Sequence, residues 1–314
     1  MGGRNLLAWA SLGLLAVTLA VPAAAPQSAK PSSKPWVAPR TSWGDPDFSG
    51  LWNYATMTPL ERPQAFAGKD VLTDAEAAAY EKQTIARQEA TNNTAGPDWW
   101  DEGTRHLTER RTSLIVDPPN GRVPPLTPDA QKRAAARTAA NRARGPADGP
   151  EDLGLNVRCL VWSTAGPPML PGVYNNNVQF IQTRDHIVIV NEMIHDARIV
   201  PMDGRPHGTV RSWMGDSRGR WDGETLVVDT INFNEKAAFR GSTESLHLVE
   251  RFTRVSDGTI RYKFTVEDPA TWTRPWTAMV PMTKIEGTML EYACHEGNER
   301  SMEGILRAAR VQDK

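Results

Sequence analysis

The sequence predicts a mainly β protein whose antiparallel strands form a barrel or a sandwich of the lipocalin or calycin type. Short runs of β-branched and aromatic residues recur between residues 157 and 294, and Asp-Gly or Glu-Gly pairs follow or separate many of them. Such pairs are typical of tight turns between antiparallel strands. About seven or eight strands joined in this way are enough for a barrel or a sandwich.

Residues 1–25 have the order of a secretory signal peptide. Arg4 supplies a positive charge, residues 6–21 form an uncharged apolar run, and small residues follow at 22–25. The apolar run is shorter than the roughly 20 residues that a spanning helix needs. A cleaved signal is therefore favoured over a retained anchor, and we expect a periplasmic or secreted protein without a membrane span after signal removal.

Four further segments follow the signal peptide. Residues 26–47 are rich in Pro, Ser and Lys, which is typical of an extended linker. Residues 48–150 are expected to form a first strand and a helical segment that wraps the rest of the protein. The antiparallel β domain is expected at 151–300, and a C-terminal tail at 301–314.

Two surface helices are expected in the wrapping segment. Thr73 and Glu76 match a capping box before an Ala- and Glu-rich run that ends near Ala90. Thr127 followed by Pro128 predicts the start of a second, Ala- and Arg-rich helix. Neither run has the large apolar residues of a buried helix, so both are expected to lie on the surface.

Composition excludes some classes of function. The chain has 36 Lys and Arg against 37 Asp and Glu, a net charge of −1, so it has no basic field for nucleic acid. Sequence motifs of serine hydrolases, nucleotide hydrolases and zinc proteases are absent. No cofactor is expected. The partner that we expect is a small-molecule ligand or substrate.

The two cysteines predict one disulfide, because an exported chain enters an oxidising compartment. Cys159 and Cys294 are the only candidates. Two alternatives stay open from the sequence: a pair of buried thiols, and a nucleophilic Cys294 activated by the adjacent His295.

The block NEMIHDAR (191–198) carries the strongest candidates for chemistry. If one unbroken strand runs through it, Glu192, Asp196 and Arg198 share a face and His195 points the other way. Two carboxyl groups beside a guanidinium can have separated pKa values, which an acid/base pair requires. The alternative is an ion-paired rim without catalytic function. We expect Glu192 or Asp196 to act as the base.

Three histidines, His195, His247 and His295, are the candidates for the acid or for a polarising group. Together with Glu192 or Glu296 they could also bind a metal through nitrogen and oxygen, but no two histidines have short ligand spacing. Satisfied structural histidines are the more common case, so no metal site is assigned.

A second set of residues offers ligand-binding groups. Asn175 and Asn177 carry amides suited to sugar hydroxyls, although turn formation is the alternative. The arginines expected to hold an anionic or carbonyl oxygen are Arg198, Arg251 and Arg274.

An aromatic cluster at a cavity mouth completes the predicted site. Trp272 and Trp276 flank Pro275, which interrupts a strand and so predicts an edge or a loop. Their indoles would stack on a flat or saccharide-like ligand. Packing at the rim is the alternative. The other tryptophans of the β region, among them Trp162 and Trp213, are interpreted as packing residues.

Several blocks resemble a family of secreted bacterial proteins of unknown function: TSLIVDPPNGR (112–122), PGVYNNN (171–177), NEMIHDAR (191–198), WMGDSRGRWDGETLVVDTINF (213–233), WTRPWT (272–277) and EYACHEGN (291–298). The resemblance covers most of residues 45–310 and implies no activity. Gly50-Leu51-Trp52 and Gly219-Arg220-Trp221 are also similar to the Gly-x-Trp pattern that opens lipocalin-like barrels.

The leading functional hypothesis is a secreted or periplasmic enzyme. It would use acid/base chemistry, by hydrolysis, elimination or isomerisation, on a small organic or saccharide-like ligand in a barrel cavity. The alternative is a non-catalytic, lipocalin-like protein that binds a small molecule. Convergence of the ionisable groups on one cavity would favour the enzyme, whereas dispersed ion pairs would favour the binding protein.

Overall fold

The computed structural model describes residues 36–91, 107–143, 152–237 and 239–312. The predicted signal peptide and the first part of the predicted linker lie outside these ranges. Within them, ten strands belong to one antiparallel sheet: β1 (Gly50–Asn53), β2 (Ile115–Asp117), β3 (Asn177–Gln182), β4 (His186–Asn191), β5 (Ala197–Pro201), β6 (Asp216–Asp222), β7 (Thr225–Ile231), β8 (His247–Ser256), β9 (Thr259–Glu267) and β10 (Trp276–Ile285).

The strands are hydrogen-bonded in the order β5-β4-β3-β1-β10-β9-β8-β7-β6, and β2 pairs with β10 beside β1. The predicted mainly β, antiparallel class is confirmed. The order ends at β5 and β6, and no ladder of hydrogen bonds joins these two strands in the part of the chain that is described. The sheet is therefore curled but not closed into a barrel.

One hydrophobic core fills the concave side of the sheet. Alternate residues of β3, β4, β7, β8 and β9 are buried, as expected of strands with one face on a core. The rings of Phe180 on β3 and Phe252 on β8 meet with their centroids 5.3 Å apart, although three strands separate β3 from β8 in the sheet. This contact across the interior shows how strongly the sheet curls.

The two edges approach each other at Gly219 of β6. A Cβ atom at this position would lie 2.3 Å from Sδ of Met202 and 2.9 Å from Cγ1 of Val200 on β5. Because a side chain there would have to displace Met202 and Val200, glycine allows β6 to come close to β5 without a backbone ladder.

A buried ion pair also links the β5 edge to the far side of the sheet. Arg198 of β5 and Glu250 of β8 are 4% and 0% exposed. The guanidinium donates to both carboxylate oxygens, Nη2 to Oε1 at 3.1 Å, and the Tyr262 hydroxyl donates to Oε1 at 2.7 Å. Burial and then the charge of Glu250 raise the pKa of Tyr262 well above its usual range, so the phenol stays a donor.

The two predicted helices are present as α1 (Asp74–Thr91) and α2 (Pro128–Ala143). The capping box forms as expected: Thr73 N donates to Glu76 Oε2 at 2.9 Å, and Glu76 N donates to Thr73 Oγ1 at 3.3 Å. Ala130 N donates to Thr127 Oγ1 at 3.1 Å, which caps α2 in the same manner. None of the helices in the described part is long and apolar enough to cross a membrane.

A third helix, α3 (Cys294–Gln312), was not expected. It begins inside the predicted β domain and runs through most of the predicted tail, and residues 286–293 just before it form no strand. The predicted disulfide Cys159–Cys294 is confirmed, with the two Cα atoms 5.9 Å apart. Since its sulfur is bonded, Cys294 is not a nucleophile.

Part of the predicted linker lies against the sheet. The Arg254 side chain of β8 donates to the carbonyl oxygen of Asp47 at 2.7 Å, and its guanidinium carbon is 5.6 Å from the ring centre of Trp36. These contacts fix residues 36–47 at the end of the sheet that holds the short turn between β8 and β9.

The connections divide between the two ends of the sheet. Short turns join β3 to β4, β6 to β7 and β8 to β9 at one end. At the opposite end, which we call the loop end, longer connections follow β1, β7 and β9 and precede β3 and β6. A cavity built from connections is therefore expected only at the loop end.

The buried ion pair gives a prediction about stability. Glu250→Leu leaves the Arg198 guanidinium buried without its partner and should lower the free energy of unfolding by about 3–5 kcal/mol. The double variant Arg198→Met/Glu250→Leu removes both charges and should lose less than Glu250→Leu alone. Urea unfolding of the wild type, both single variants and the double variant measures the coupling. Additive losses would contradict the pairing.

Candidate functional site

Two adjoining cavities open at the loop end of the sheet. The first, which we call the aromatic cavity, has a volume of about 500 Å³ and is lined by four aromatic side chains: Trp162, Trp213, Phe233 and Phe239. The second, of about 550 Å³, lies towards α1 and is lined mainly by Met57, Pro59, Leu114 and threonines. Thr164, Leu170 and Arg240 line both, so the two cavities form one elongated cleft.

The disulfide holds one wall of the aromatic cavity. Trp162 belongs to the connection before β3 and packs against the cluster of Cys159, Cys294 and Ile194. Its ring meets that of Tyr292 edge-on, with the centroids 5.9 Å apart. Both indoles of the cavity, Trp162 and Trp213, stay partly exposed, so their faces are open to a ligand.

Backbone hydrogen bonds fix the opposite wall, which carries Trp213. Ser212 N donates to Asn232 O at 3.1 Å, and Asn234 N donates to Ser212 O at 2.8 Å. Gly215 has φ 73°, and a Cβ atom there would lie 2.6 Å from the Thr230 side chain. The turn that presents Trp213 therefore requires glycine at this position.

Trp272 and Trp276 lie in the core behind one wall of the aromatic cavity. Both are buried, and neither is among the residues that line the two cavities. The Trp276 ring stacks on Phe239 with the centroids 6.2 Å apart, and Trp272 meets Trp276 edge-on. The two indoles thus pack against the aromatic wall, whereas Trp162 and Trp213, which we had interpreted as packing residues, line the cavity.

A third cavity of about 300 Å³ lies on the other side of Trp213, and Asp196 lines it together with Ser212, Asp216 and Ser217. The Oδ2 atom of Asp196 is buried and has no hydrogen-bond partner among the residues described. Burial raises the pKa of Asp196 to about 6, against the lowering influence of His195. This carboxyl group therefore changes its charge close to neutral pH.

The strand is interrupted between Asn191 and Ala197. Glu192, Asp196 and Arg198 therefore do not share one face of a continuous strand, contrary to what the sequence predicted. A short 3-10 turn spans Met193–His195, with φ of 60° at Ile194 and 47° at His195. The turn leaves His195 exposed. Asp196 and Arg198 both line the third cavity, and the Arg198 guanidinium pairs with Glu250 in the interior.

Glu192 and the predicted asparagine ligands lie elsewhere, and two of these side chains take part in a hydrogen-bond network. Asn53 Nδ2 donates to Asn177 Oδ1, and Asn177 Nδ2 donates to Glu192 Oε2, both at 2.7 Å. Asn175 lies in a turn with φ 54°. None of these four residues lines the aromatic cavity or the third cavity, so the structure does not bring the predicted base Glu192 to a ligand site.

The remaining predicted residues are spread over the surface. Arg251 pairs with Asp222, and Arg274 Nη2 contacts both carboxylate oxygens of Asp117 at 2.9 and 3.0 Å. His295 is exposed in the first turn of α3. These three residues lie apart from the cleft.

His247 belongs to a titratable cluster on the convex side of the sheet. Asp229 lies between two histidines, with Oδ2 2.8 Å from Nε2 of His247 and Oδ1 3.0 Å from Nε2 of His207. Nδ1 of His207 is 3.3 Å from Asp216, which lines the third cavity. The hydrogen bond that His247 donates to Asp229 raises the pKa of His247 and lowers the pKa of Asp229.

Sequence reasoning missed Asp229 and His207. Strand alternation could have placed Asp229 beside His247, because both point away from the side that buries Val228 and Leu248. His207 lies in the long connection before β6, where no periodic pattern predicts a direction. In the described ranges, no group of three or more His, Cys, Asp and Glu side chains is arranged to hold a metal ion.

Comparison of the chain with protein-family models and with curated proteins finds no match in either set.

The Asp229–His247 pair predicts a pH dependence. A raised histidine pKa stabilises the fold fully below about pH 6.5, the usual histidine value, and this stabilisation is lost as pH rises through the higher folded pKa. Urea unfolding should therefore show that His247→Gln costs more at about pH 6 than at about pH 8.5. In the Asp229→Asn background this difference should shrink to the smaller part that Glu267 contributes. A cost of His247→Gln that is equal at both pH values would contradict the pairing.

Proposed function

We propose that the protein binds a small, flat and largely apolar molecule in the aromatic cavity. The observation that carries the proposal is the convergence of Trp162, Trp213, Phe233 and Phe239, from separate connections, on one cavity of about 500 Å³. Concave sites of this size with mostly apolar walls and few polar groups are typical of small-molecule sites. Indole and phenyl faces stack on flat ligands.

The positions of the ionisable groups support a binding function over acid/base catalysis by several of the predicted residues. Of the residues that the sequence suggested for acid/base chemistry, His195 and His295 are exposed, His247 pairs with Asp229, and Glu192 binds Asn177. With the secretory signal that the sequence predicts, the proposal describes a periplasmic or secreted carrier or receptor of a small molecule.

A neutral fluorescent probe, N-phenylnaphthylamine, tests the proposal. We expect it to bind the wild type, and we expect Trp213→Ala and Phe239→Ala to weaken binding about tenfold each, because each removes a buried aromatic contact. Fluorescence titration gives the dissociation constants, and circular dichroism checks the fold of each variant.

Trp43→Ala is the matched control, since it deletes an indole that does not line the cleft. It should leave binding unchanged. Equal losses in Trp43→Ala and Trp213→Ala, or no binding to the wild type, would count against the proposal.

Acid/base catalysis at Asp196 is a second candidate function. It is favoured by one observation: a carboxyl group with a pKa raised to about 6 and an unpartnered, buried oxygen lines a cavity that shares Trp213 with the aromatic cavity. A base with a pKa near the working pH is suited to proton transfer. Ser212 and Ser217 would offer hydroxyl groups to the same substrate.

Asp196→Asn tests this candidate through stability and turnover. Because the folded pKa is raised, ionisation destabilises the folded wild type as pH rises from about 4 to about 6. The variant should therefore be more stable than the wild type above about pH 6 and equal to it below about pH 4.

Mass spectrometry of a metabolite mixture should show a compound that the wild type consumes and Asp196→Asn does not. Equal consumption by both proteins would reject the catalytic role.

A further inference from the structure

We infer that the molecule bound in the aromatic cavity is an organic anion, whose carboxylate or similar group is bound by Arg240. This inference rests on the proposed function, since it concerns the ligand of the same cavity. It assigns a specificity-determining role to a residue that the sequence did not single out.

Arg240 is placed where the two cavities join. Its side chain lines both of them, together with Thr164 and Leu170, and is 43% exposed. A ligand that stacks on the aromatic walls would therefore have this guanidinium at one end. Guanidinium groups bind planar anions through two parallel hydrogen bonds.

Among the residues described, the one ion pair of Arg240 is a long one, to Glu61. The Arg240 side chain makes no hydrogen bond to any part of the chain that is described, and the nearest carboxylate oxygen, Oε1 of Glu61, is 3.7 Å away. The carboxylate of Glu61 has other partners, because Val123 N donates to Oε2 at 3.2 Å and Arg122 Nε lies 3.5 Å from Oε2. An incoming anion would thus compete for Arg240 only with one distant carboxylate that already has other partners.

The charged residues that line the cleft favour a ligand of negative charge. Among the residues described, Arg240 is the only ionisable one that lines the aromatic cavity, and the second cavity adds only Arg87. In the same described part of the chain, no Asp or Glu lines either cavity. A site with low-dielectric walls and a positive charge attracts anions and disfavours amines.

The backbone presents the aromatic ring and the cation together. Arg240 has φ 51°, in the left-handed region that residues other than glycine rarely adopt, and Gly241 follows with φ 86°. The turn lets Phe239 stack on Trp276 while Arg240 faces the junction of the cavities. Uncommon backbone geometry of this kind clusters at ligand sites.

Two probes with the same ring skeleton test the inference: anilinonaphthalene sulfonate, which is anionic, and N-phenylnaphthylamine, which lacks the sulfonate. Arg240→Gln should weaken sulfonate binding about tenfold and leave the neutral probe within about twofold. Arg240→Lys, which keeps the charge, should recover part of the loss. Added salt should weaken sulfonate binding to the wild type more than to Arg240→Gln.

Arg122→Gln is the matched control, because Arg122 contacts the same Glu61 but lines neither cavity. It should leave binding of both probes unchanged. The inference is overturned if Arg240→Gln affects both probes equally or neither, or if Arg122→Gln causes the same loss. In each of those cases the neutral probe still binds the wild type and the proposed function stands; if the neutral probe does not bind, both proposals fail.

Discussion

The ion pair of Arg198 and Glu250 is the contact on which the curled sheet depends. It joins the edge strand β5 to β8 across the interior, where no backbone ladder does so. Charges of this kind cost free energy to bury and are tolerated only when every oxygen has a partner. Here Tyr262 supplies the additional donor, and its hydroxyl accepts a hydrogen bond from Met169 N. The network therefore extends to the connection before β3, where the next residue, Leu170, lines the aromatic cavity.

The ion pair lies close to the turn that shapes the site. The turn at Met193–His195 separates β4 from β5, and Arg198 points inwards two residues after Asp196. The same turn packs Ile194 against the disulfide, which supports Trp162, and directs Asp196 towards Trp213. One turn at the edge of the sheet thus contacts the walls of both the aromatic cavity and the Asp196 cavity.

The sequence was a good guide to local structure and a poor one to long-range contacts. The caps at Thr73 and Thr127, the disulfide, and the turns that join β3 to β4, β6 to β7 and β8 to β9 depend on neighbouring residues or on residue counts, and these are present. The Glu286-Gly287 pair, by contrast, is followed by no strand. The partner of Arg198 lies 52 positions away, and nothing in local periodicity identifies it. For the same reason the sequence could not rank the tryptophans: only the folded chain decides that Trp276 is buried and Trp213 partly exposed.

The separation of short turns and long connections has a consequence for how such a protein can change. Residues that hold the sheet, such as Glu250 and Gly219, lie in strands, whereas Trp213, Phe239 and Arg240 lie in connections that tolerate substitution and insertion. Selection could alter the chemistry of the ligand without disturbing the scaffold. Chains with this sheet could therefore diverge in specificity while their architecture stays constant.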